Sequence, residues 1–308
     1  MKFRVEAWDP QYGASGEAEP LPEGAAVDPD VERPAAQWAP IPPCGVAPEP
    51  VVMFVDGVRR TDAYGWIGDE SSCAFASYAA GVVRCDTDRA EMVAWAVERG
   101  VASADPTLEA IPTRCGEFRP IAVREGTPEA FNTAIQRAMT ALEVRVSFEV
   151  RANDPEPLLV VDGPLRERRH VARVVGLVKR HHVRYLGALD AVVARLEPGS
   201  RTPVFLIPSQ WGKYSWYLRL PGPDAGPWSG VVRLEAPAEL TVADVVMLAN
   251  RSAATLGRFA SAPHKDGRAP QNLYPIGGLE RLLRHRLGDP EFVLRSLRIA
   301  SHATSPSQ

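Results

Sequence analysis

The sequence has few cysteines and no long apolar run. Its four cysteines, at positions 44, 73, 85 and 115 of 308, include no C-x-x-C pair, so a zinc ribbon is not indicated and free thiols are expected. No stretch approaches the roughly 18 apolar residues of a transmembrane helix. The first residues, MKFRVE, lack an apolar stretch after their basic residues, so we expect no signal peptide and a cytoplasmic protein.

Several motifs of nucleotide and acyl chemistry are also missing. There is no G-x-x-x-x-G-K-[ST] loop, so an intrinsic ATPase is not expected. There is no G-x-S-x-G elbow, which argues against an α/β-hydrolase. No G-x-G-x-x-G follows a predicted strand, which weakens a dinucleotide-dependent dehydrogenase.

Lysine is scarce, and net charge is small. Only Lys2, Lys179, Lys213 and Lys265 are lysines among 35 basic residues, and the formal net charge is −3. This balance argues against a protein that coats DNA non-specifically, but it is compatible with a local basic groove. Hydrophobic residues at 45% and charged residues at 24% are typical of a globular protein.

The chain divides by composition into three parts. Residues 1–50 contain ten prolines and are predicted to form an irregular arm, because proline removes backbone donors. Residues 51–300 alternate strand and helix signals and are predicted to form one α/β domain, and residues 301–308 a flexible tail. Within the domain, 128–143 has helical spacing. Residues 144–151 have strand character, with a continued helix as the alternative.

Two predicted strands end in the same dipeptide. Asp56-Gly57 closes the run Val51–Val55, and Asp162-Gly163 closes Leu158–Val161. Open α/β sheets place ligand-binding groups at the carboxyl ends of buried strands. If the strands are neighbours, the two carboxylates lie several Å apart, and a divalent cation is the usual remedy for their repulsion. Two ordinary Asp-Gly turns are the alternative interpretation.

Glu143 is a third candidate ligand, at the end of the predicted helix. With the two aspartates it would complete an all-oxygen site suited to Mg²⁺ or Mn²⁺. Two such ions about 4 Å apart are the usual device for phosphodiester hydrolysis. Alone, a helix glutamate is more often a solvated side chain.

Two of the lysines lie in suggestive surroundings. Lys179 follows a predicted buried strand and could neutralise a phosphate, although a solvated strand end would look the same. Lys213 lies within the aromatic stretch 211–217, which suits stacking on single-stranded bases. A packed β-meander with these aromatics is the alternative. The polar loop 264–268 could face a substrate or be a connector.

Over residues 50–300, the order of short motifs resembles the NurA family of DNA-repair nucleases. The similarity rests on Phe54–Arg60, Glu143 and Val161–Leu165, and on four later segments. These are Val175–Lys179, Tyr217–Leu220, Arg233–Glu235 and Pro270–Pro275.

This resemblance implies a fold, an activity and partners. The fold is an RNase H-like mixed sheet flanked by helices, to which an additional β-meander and the Pro-rich arm are attached. The activity is a Mn²⁺-dependent 5′-to-3′ exonuclease, with single-strand endonuclease activity also possible. The implied partners are DNA, a second copy of the chain and a hexameric HerA-type ATPase in DNA end resection.

The resemblance also assigns residues, with two departures. Asp56, Glu143 and Asp162 match the family's metal-binding carboxylates, and Lys179 matches its basic residue. Val58 stands where many members have serine. Leu282, the eighth residue after Tyr274, stands where members often have a histidine ligand. His285 is the first substitute for that ligand, and His264 and Glu280 are the others.

The combined prediction is a metal-dependent DNA nuclease. Asp56, Glu143, Asp162 and Lys179 form its catalytic site, and His285 adds a ligand to two Mn²⁺ or Mg²⁺ ions. A second set of residues is expected to contact DNA: Arg59, Arg60, Trp211, Lys213, Tyr217 and Arg219. A non-catalytic RNase H-like scaffold that binds nucleic acid or the ATPase is the rival, and a small-molecule phosphatase is a third possibility.

Overall fold

A computed structural model describes residues 26–43, 45–68, 70–181, 183–208, 212–223 and 226–303. These residues form ten strands and five α-helices. The strands are β1 (Val52–Ile67), β2 (Ser71–Cys85), β3 (Ala90–Ser103), β4 (Ile111–Thr113), β5 (Gly116–Ala122), β6 (Leu158–Asp162), β7 (Val174–Val178), β8 (Phe205–Ile207), β9 (Lys213–Arg219) and β10 (Val231–Pro237). The helices are α1 (Pro128–Asn153), α2 (Asp190–Ala194), α3 (Val242–Leu256), α4 (Tyr274–Arg286) and α5 (Pro290–Ala303).

All ten strands belong to one mixed sheet. Their order is β4-β5-β3-β2-β1-β6-β7-β10-β9-β8. The pairs β3–β5 and β6–β7 are parallel, whereas β8, β9 and β10 form an antiparallel meander. The predicted α/β class, with a mixed sheet, flanking helices and a meander, is therefore confirmed. None of the helices in the described part of the chain has both the length and the apolarity of a membrane span.

Helix α1 is longer than the sequence signal indicated. Thr127 accepts a hydrogen bond from the Ala130 N–H, and Pro128 follows it, a favourable residue for a first turn. Buried apolar side chains then continue at helical spacing to the end: Phe131, Ile135, Met139, Leu142, Val146 and Val150. The strand interpretation of 144–151 is wrong, because alternating β-branched residues there are overridden by this continuous apolar stripe.

The chain forms two compact units. The described residues of the first fall within Met1–Phe54, Arg84–Glu91 and Arg151–Gly277, and those of the second within Val55–Val83, Met92–Val150 and Gly278–Gln308. The core of the first unit contains Trp38, Phe205 and the fully buried Tyr217. In the second unit, Val293 and Leu297 of α5 pack on Phe118, and Phe131 and Ile135 of α1 pack on Ala74 and neighbouring alanines.

The described part of the N-terminal arm, residues 26–43 and 45–50, is built into the first unit. Asp28 forms a backbone bridge to Leu206 of the edge strand β8, and Ile41 forms one to Arg201. The Arg201 side chain is 1% exposed and donates to both carboxylate oxygens of Glu32, at 2.7 and 2.9 Å. Glu32 also accepts from the Val204 N–H, so a buried ion pair fastens the arm to the meander.

Replacing Glu32 should strongly destabilise the first unit. In Glu32→Ala the Arg201 guanidinium stays buried without its countercharge, which typically costs about 3–5 kcal/mol. We expect a loss of that size in the free energy of unfolding, measured with denaturant. Arg119→Ala is the matched control, because Arg119 pairs with Glu117 on the surface with 71% of its side chain exposed. A Glu32→Ala loss no larger than the control's would contradict the prediction.

Candidate metal centre and its surroundings

Asp56 lies on β1, directly after an apolar run. The preceding residues Val52, Met53, Phe54 and Val55 are all buried, and Asp56 itself is 8% exposed. One carboxylate oxygen of Asp56 accepts a hydrogen bond from the Gly57 N–H at 2.8 Å. The carboxylate is therefore held in a largely dry environment, where a charge needs a compensating partner.

Glu143 reaches the same stretch of β1 from helix α1. It is 6% exposed, and its carboxylate lies against Gly57, where a methyl group on the glycine would be 2.5 Å from Glu143 Oε1. Only glycine leaves room for the glutamate there. The Glu143 carboxylate consequently packs beside the residue that follows Asp56, and the solvated-helix alternative is not what the structure shows.

Asp162 ends β6 and is paired with Lys179. Lys179 Nζ donates to Asp162 Oδ2 at 2.6 Å and to Asn272 Oδ1 at 2.6 Å. The lysine side chain is only 5% exposed, so it is not a solvated strand end. The parallel pairing of β6 with β7 places Asp162 opposite Leu177, two residues before Lys179, which explains why the two side chains meet.

Three carboxylates, from β1, β6 and helix α4, come together. Ligand oxygens of Asp56, Asp162 and Glu280 all lie within 4.8 Å of one another, and β1 and β6 are neighbours in the sheet order. Opposite oxygens around Mg²⁺ or Mn²⁺ are about 4 Å apart, so this spacing fits one shared hard cation. Carboxylate oxygens are also the donors that such cations prefer. The acidic cluster indicates the use of a divalent metal.

Glu280 comes from helix α4, whose far end is held by two arginines. Arg99 Nη2 donates to the Leu287 carbonyl at 3.2 Å, and Arg60 Nη1 donates to the Gly288 carbonyl at 2.7 Å. Cations near the last carbonyls of a helix satisfy its unpaired acceptors. Arg60 is also paired with the buried Asp62 at 2.7 Å. The two arginines therefore fix the helix that carries Glu280.

The two histidine candidates lie elsewhere on the surface. His285 and His264 are both exposed. His285 follows Glu280 by five positions on α4, which at 3.6 residues per turn places it well round the helix from Glu280. Among the described residues, the group with metal-ligand spacing contains Glu280 and neither histidine. Sequence spacing could name Glu280 as an alternative but could not choose between them, because the phase of α4 was unknown.

The residues predicted to contact DNA have partners within the protein. Arg59 donates to Gln136 Oε1 at 2.9 Å, and burial is the main cause that lowers the pKa of its guanidinium. Arg219 donates to the carbonyls of Ser229 and Pro227. Tyr217 has no exposed surface, which favours the packed meander over base stacking. Trp211 lies outside the described residues.

Lys213 belongs to a buried ionic cluster on the meander. Its Nζ lies 3.1 Å from Glu235 Oε1, and Arg233 contacts the same oxygen at 2.7 Å. Burial alone would raise the pKa of Glu235, but these two cations hold it below its usual value. The second oxygen of Glu235 accepts from the Leu165 N–H at 3.1 Å. The cluster thereby supports the loop that follows Asp162, a role that the sequence did not reveal.

The comparison with protein families decides what this chain is related to. The model of the NurA domain matches residues 51–276. The chain belongs to the NurA domain family. The resemblance seen in the short motifs is therefore confirmed, and membership of the NurA family supports a nuclease.

The solved structures that match this chain are distant in sequence. The NurA nuclease from Sulfolobus solfataricus is 11% identical with a TM-score of 0.49, and the match covers 85% of this chain and 87% of that chain. An endonuclease V from Bacillus subtilis is 14% identical with a TM-score of 0.36, over 80% and 85% of the two chains. The catalytic domain of human endonuclease V is 16% identical with a TM-score of 0.34, over 78% and 82%. No curated protein matches the sequence.

The burial of Tyr217 in this NurA-family chain should be visible in alkaline unfolding. Burial raises the pKa of its phenol to about 12, compared with about 10 in an unfolded chain. Its contribution to stability is thus fully present below pH 10 and is lost as the pH rises towards 12. Between pH 9 and pH 11, the free energy of unfolding of the wild type should therefore fall by about 1 kcal/mol more than that of Tyr217→Phe. Parallel curves from pH 9 to pH 11 would contradict this.

Proposed function

We propose that this NurA-family chain is a metal-dependent deoxyribonuclease that hydrolyses phosphodiester bonds. The observation that carries the proposal is the carboxylate cluster of Asp56, Asp162 and Glu280, within 4.8 Å of one another, in a chain of this family. Bringing three carboxylates together in a poorly solvated place is electrostatically unfavourable. A role in cation binding explains that cost, whereas a pure scaffold has no need of it.

The donor set favours Mn²⁺ or Mg²⁺, and two ions. Asp56, Asp162 and Glu280 would hold one cation, and Glu143, which packs beside Gly57, would contribute to a second. When bound, the cations would supply positive charge against the scissile phosphate and lower the pKa of a bound water, which favours its deprotonation. His285, which is exposed, remains a possible ligand only if its side chain is recruited from the surface.

Lys179 is the group of the chain that acts on the phosphate. Its ammonium is fixed by Asp162 and Asn272, both at 2.6 Å. A fixed positive charge costs no reorganisation when negative charge develops on a phosphoryl oxygen in the transition state. Asp162 would thus serve twice, as a metal ligand and as the residue that keeps this ammonium in the site.

The finer assignments rest on the family resemblance. They are a 5′-to-3′ exonuclease with single-strand endonuclease activity, a preference for Mn²⁺, and a homodimer. They also include work with a HerA-type hexameric ATPase in DNA end resection. The cytoplasmic location, which the sequence predicts on other grounds, is kept in the proposal. Of the residues predicted to contact DNA, Arg59 and Arg60 lie three and four residues after Asp56 on β1. They keep this role in the proposal in addition to their contacts with Gln136 and with the Gly288 carbonyl.

Digestion of end-labelled linear DNA tests the proposed activity. Wild type should release label with Mn²⁺ or Mg²⁺ and not with EDTA, and comparison of 5′ and 3′ labels reports polarity. Asp56→Asn removes a ligand charge while keeping the shape of the side chain. It should lower the rate by at least about 10²-fold, as the loss of a principal electrostatic group commonly does. Asp88→Asn, an exposed aspartate at the β2–β3 turn, is the control and should cleave normally.

Two results would count against the nuclease. One is equal cleavage by Asp56→Asn and wild type, which would place the activity in a contaminant or another site. The other is no cleavage by folded wild type with any metal, even after addition of a HerA-type ATPase. That second result, combined with retained binding to the ATPase, would favour the scaffold.

Gly57→Ala tests the part played by Glu143. A methyl group at this position would meet Glu143 Oε1 at 2.5 Å, so the flexible carboxylate must move aside while the backbone of β1 is kept. We expect weaker Mn²⁺ binding by calorimetry and a rate lowered by about 10-fold or more. Gly278→Ala is the control, because a methyl group there would meet nothing within 4 Å. Equal metal affinity in both variants would remove Glu143 from the metal site.

A further inference from the structure

A chain of polar side chains leads away from Lys179 through the first unit. Asn272 accepts from Lys179 Nζ at 2.6 Å through Oδ1 and donates through Nδ2 to Asp266 Oδ2, also at 2.6 Å. Arg268 then donates to both oxygens of Asp266, at 3.2 and 3.3 Å. Asn272 is 0% exposed. The loop 264–268 and the segment 270–275, which the sequence left without a role, are therefore joined to the site.

The orientation of the Asn272 amide is determined by chemistry. An ammonium group can only donate hydrogen bonds, and a carboxylate can only accept them. The amide oxygen must therefore face Lys179, and the amide nitrogen must face Asp266. In a flipped amide, the NH₂ group would face the Lys179 ammonium and the oxygen would face the Asp266 carboxylate, so both hydrogen bonds would be lost at a fully buried residue. The side chain has one stable position, which makes it a rigid support for the lysine.

Asp266 is fixed in turn, so the support has an anchor. Its Oδ1 accepts from the Arg268 N–H at 2.8 Å in addition to the guanidinium contacts. Burial alone would raise the pKa of Asp266, but hydrogen bonds from Asn272 and Arg268 hold it below its usual value. The carboxylate accordingly stays ionised at neutral pH and accepts from Asn272. An ionised acceptor makes that hydrogen bond stronger than one between neutral groups.

We propose that Asn272 is a positioning residue that keeps the Lys179 ammonium in the metal site, with Asp266 as its anchor. The inference rests on the proposed nuclease. A cation that binds Asp162 competes with Lys179 for the same carboxylate, and two positive groups repel each other. Without a second acceptor the lysine would be displaced. Asn272 provides a neutral acceptor, so the ammonium remains within reach of the phosphate while Asp162 turns to the metal.

The test first removes the acceptor at position 272 and then restores one by exchanging the side chains of positions 272 and 266. Asn272→Leu keeps the branched shape of the side chain at Cγ, although it is larger, and cannot accept from Lys179. Asn272→Asp combined with Asp266→Asn exchanges the two groups. The carboxylate introduced at position 272 accepts from Lys179. The amide introduced at position 266 donates to that carboxylate and still offers its oxygen to Arg268. Asn250→Leu is the control, since Asn250 makes equivalent hydrogen bonds to Arg201 in the same unit and has no role in the site.

The kinetic readout separates positioning from folding. A displaced charged group commonly costs about 10- to 100-fold in rate. We expect Asn272→Leu to lower kcat to that extent with little change in KM for DNA, and the exchanged double variant to recover most of the loss. Asn250→Leu should lose stability and keep its kcat. An unchanged kcat in folded Asn272→Leu would overturn the proposal, as would a folded double variant as slow as Asn272→Leu.

A second readout does not depend on activity. The chain has only four lysines, so ¹³C-lysine labelling gives few side-chain NMR signals, and the missing signal in Lys179→Arg assigns that of Lys179. This signal should move towards that of exposed lysine in Asn272→Leu and return in the double variant. An unmoved signal would overturn the positioning role. If wild type does not cleave DNA but the signal behaves as expected, the proposed function fails while the positioning role stands.

Discussion

The repulsion between buried carboxylates is the constraint on which this site depends. Asp56, Glu143 and Glu280 are each less than a tenth exposed, and Asp162 lies in the same cluster. Without a cation their mutual repulsion must be offset by the protein, and Lys179 contributes to this by its ion pair with Asp162. The surrounding structure accordingly contains many side chains that are fixed by hydrogen bonds and ion pairs. Arg60 and Arg99 hold α4, Glu235 holds the loop after Asp162, and Asn272 holds the lysine. Rigid supports of this kind hold the carboxylates together, although their like charges would otherwise drive them apart.

Much of the sheet could be predicted from the sequence, but the strands β3, β4 and β5 could not. The first part of β1 (Val52–Val55) and the residues of β6 before Asp162 are continuous apolar runs, which is the signal of strands buried on both faces. No strand was predicted where β3, β4 and β5 lie. Apolar residues of β3 occupy exposed positions (Val93 and Trp95) as well as half-buried ones, which hides the alternation of a strand, and β4 has only three residues. The predicted helix ended before the real end of α1, because residues 144–150 have high local β propensity. The apolar face that continues the helix is recognised only from its packing in the structure.

The site shows the same division between local and long-range information. Asp56 and Asp162 could be found because a carboxylate after a continuous apolar run is a local pattern. The expected strand end at Asp56 was wrong, because β1 continues through Gly57 to Ile67, whereas β6 does end at Asp162. Glu280 could not be preferred over His285, since the choice depends on which side of α4 faces the sheet. Tyr217 and Lys213 illustrate the opposite error. Aromatic and basic residues in sequence suggest a nucleic-acid surface, yet here the ring is in the core and the lysine neutralises the buried Glu235.

The N-terminal arm also protects the outer edge of the sheet. Strand β8 is an edge strand of three residues, and the Asp28 N–H and carbonyl occupy the backbone groups of Leu206 at 2.9 and 2.8 Å. Unpaired edges are templates on which strands of other molecules can add. A chain shortened to begin at residue 51, where the family match starts, would bare this edge and the Arg201 guanidinium together. We expect such a fragment to be prone to aggregate, and this expectation gives the arm a part in solubility although it contributes none of the carboxylates.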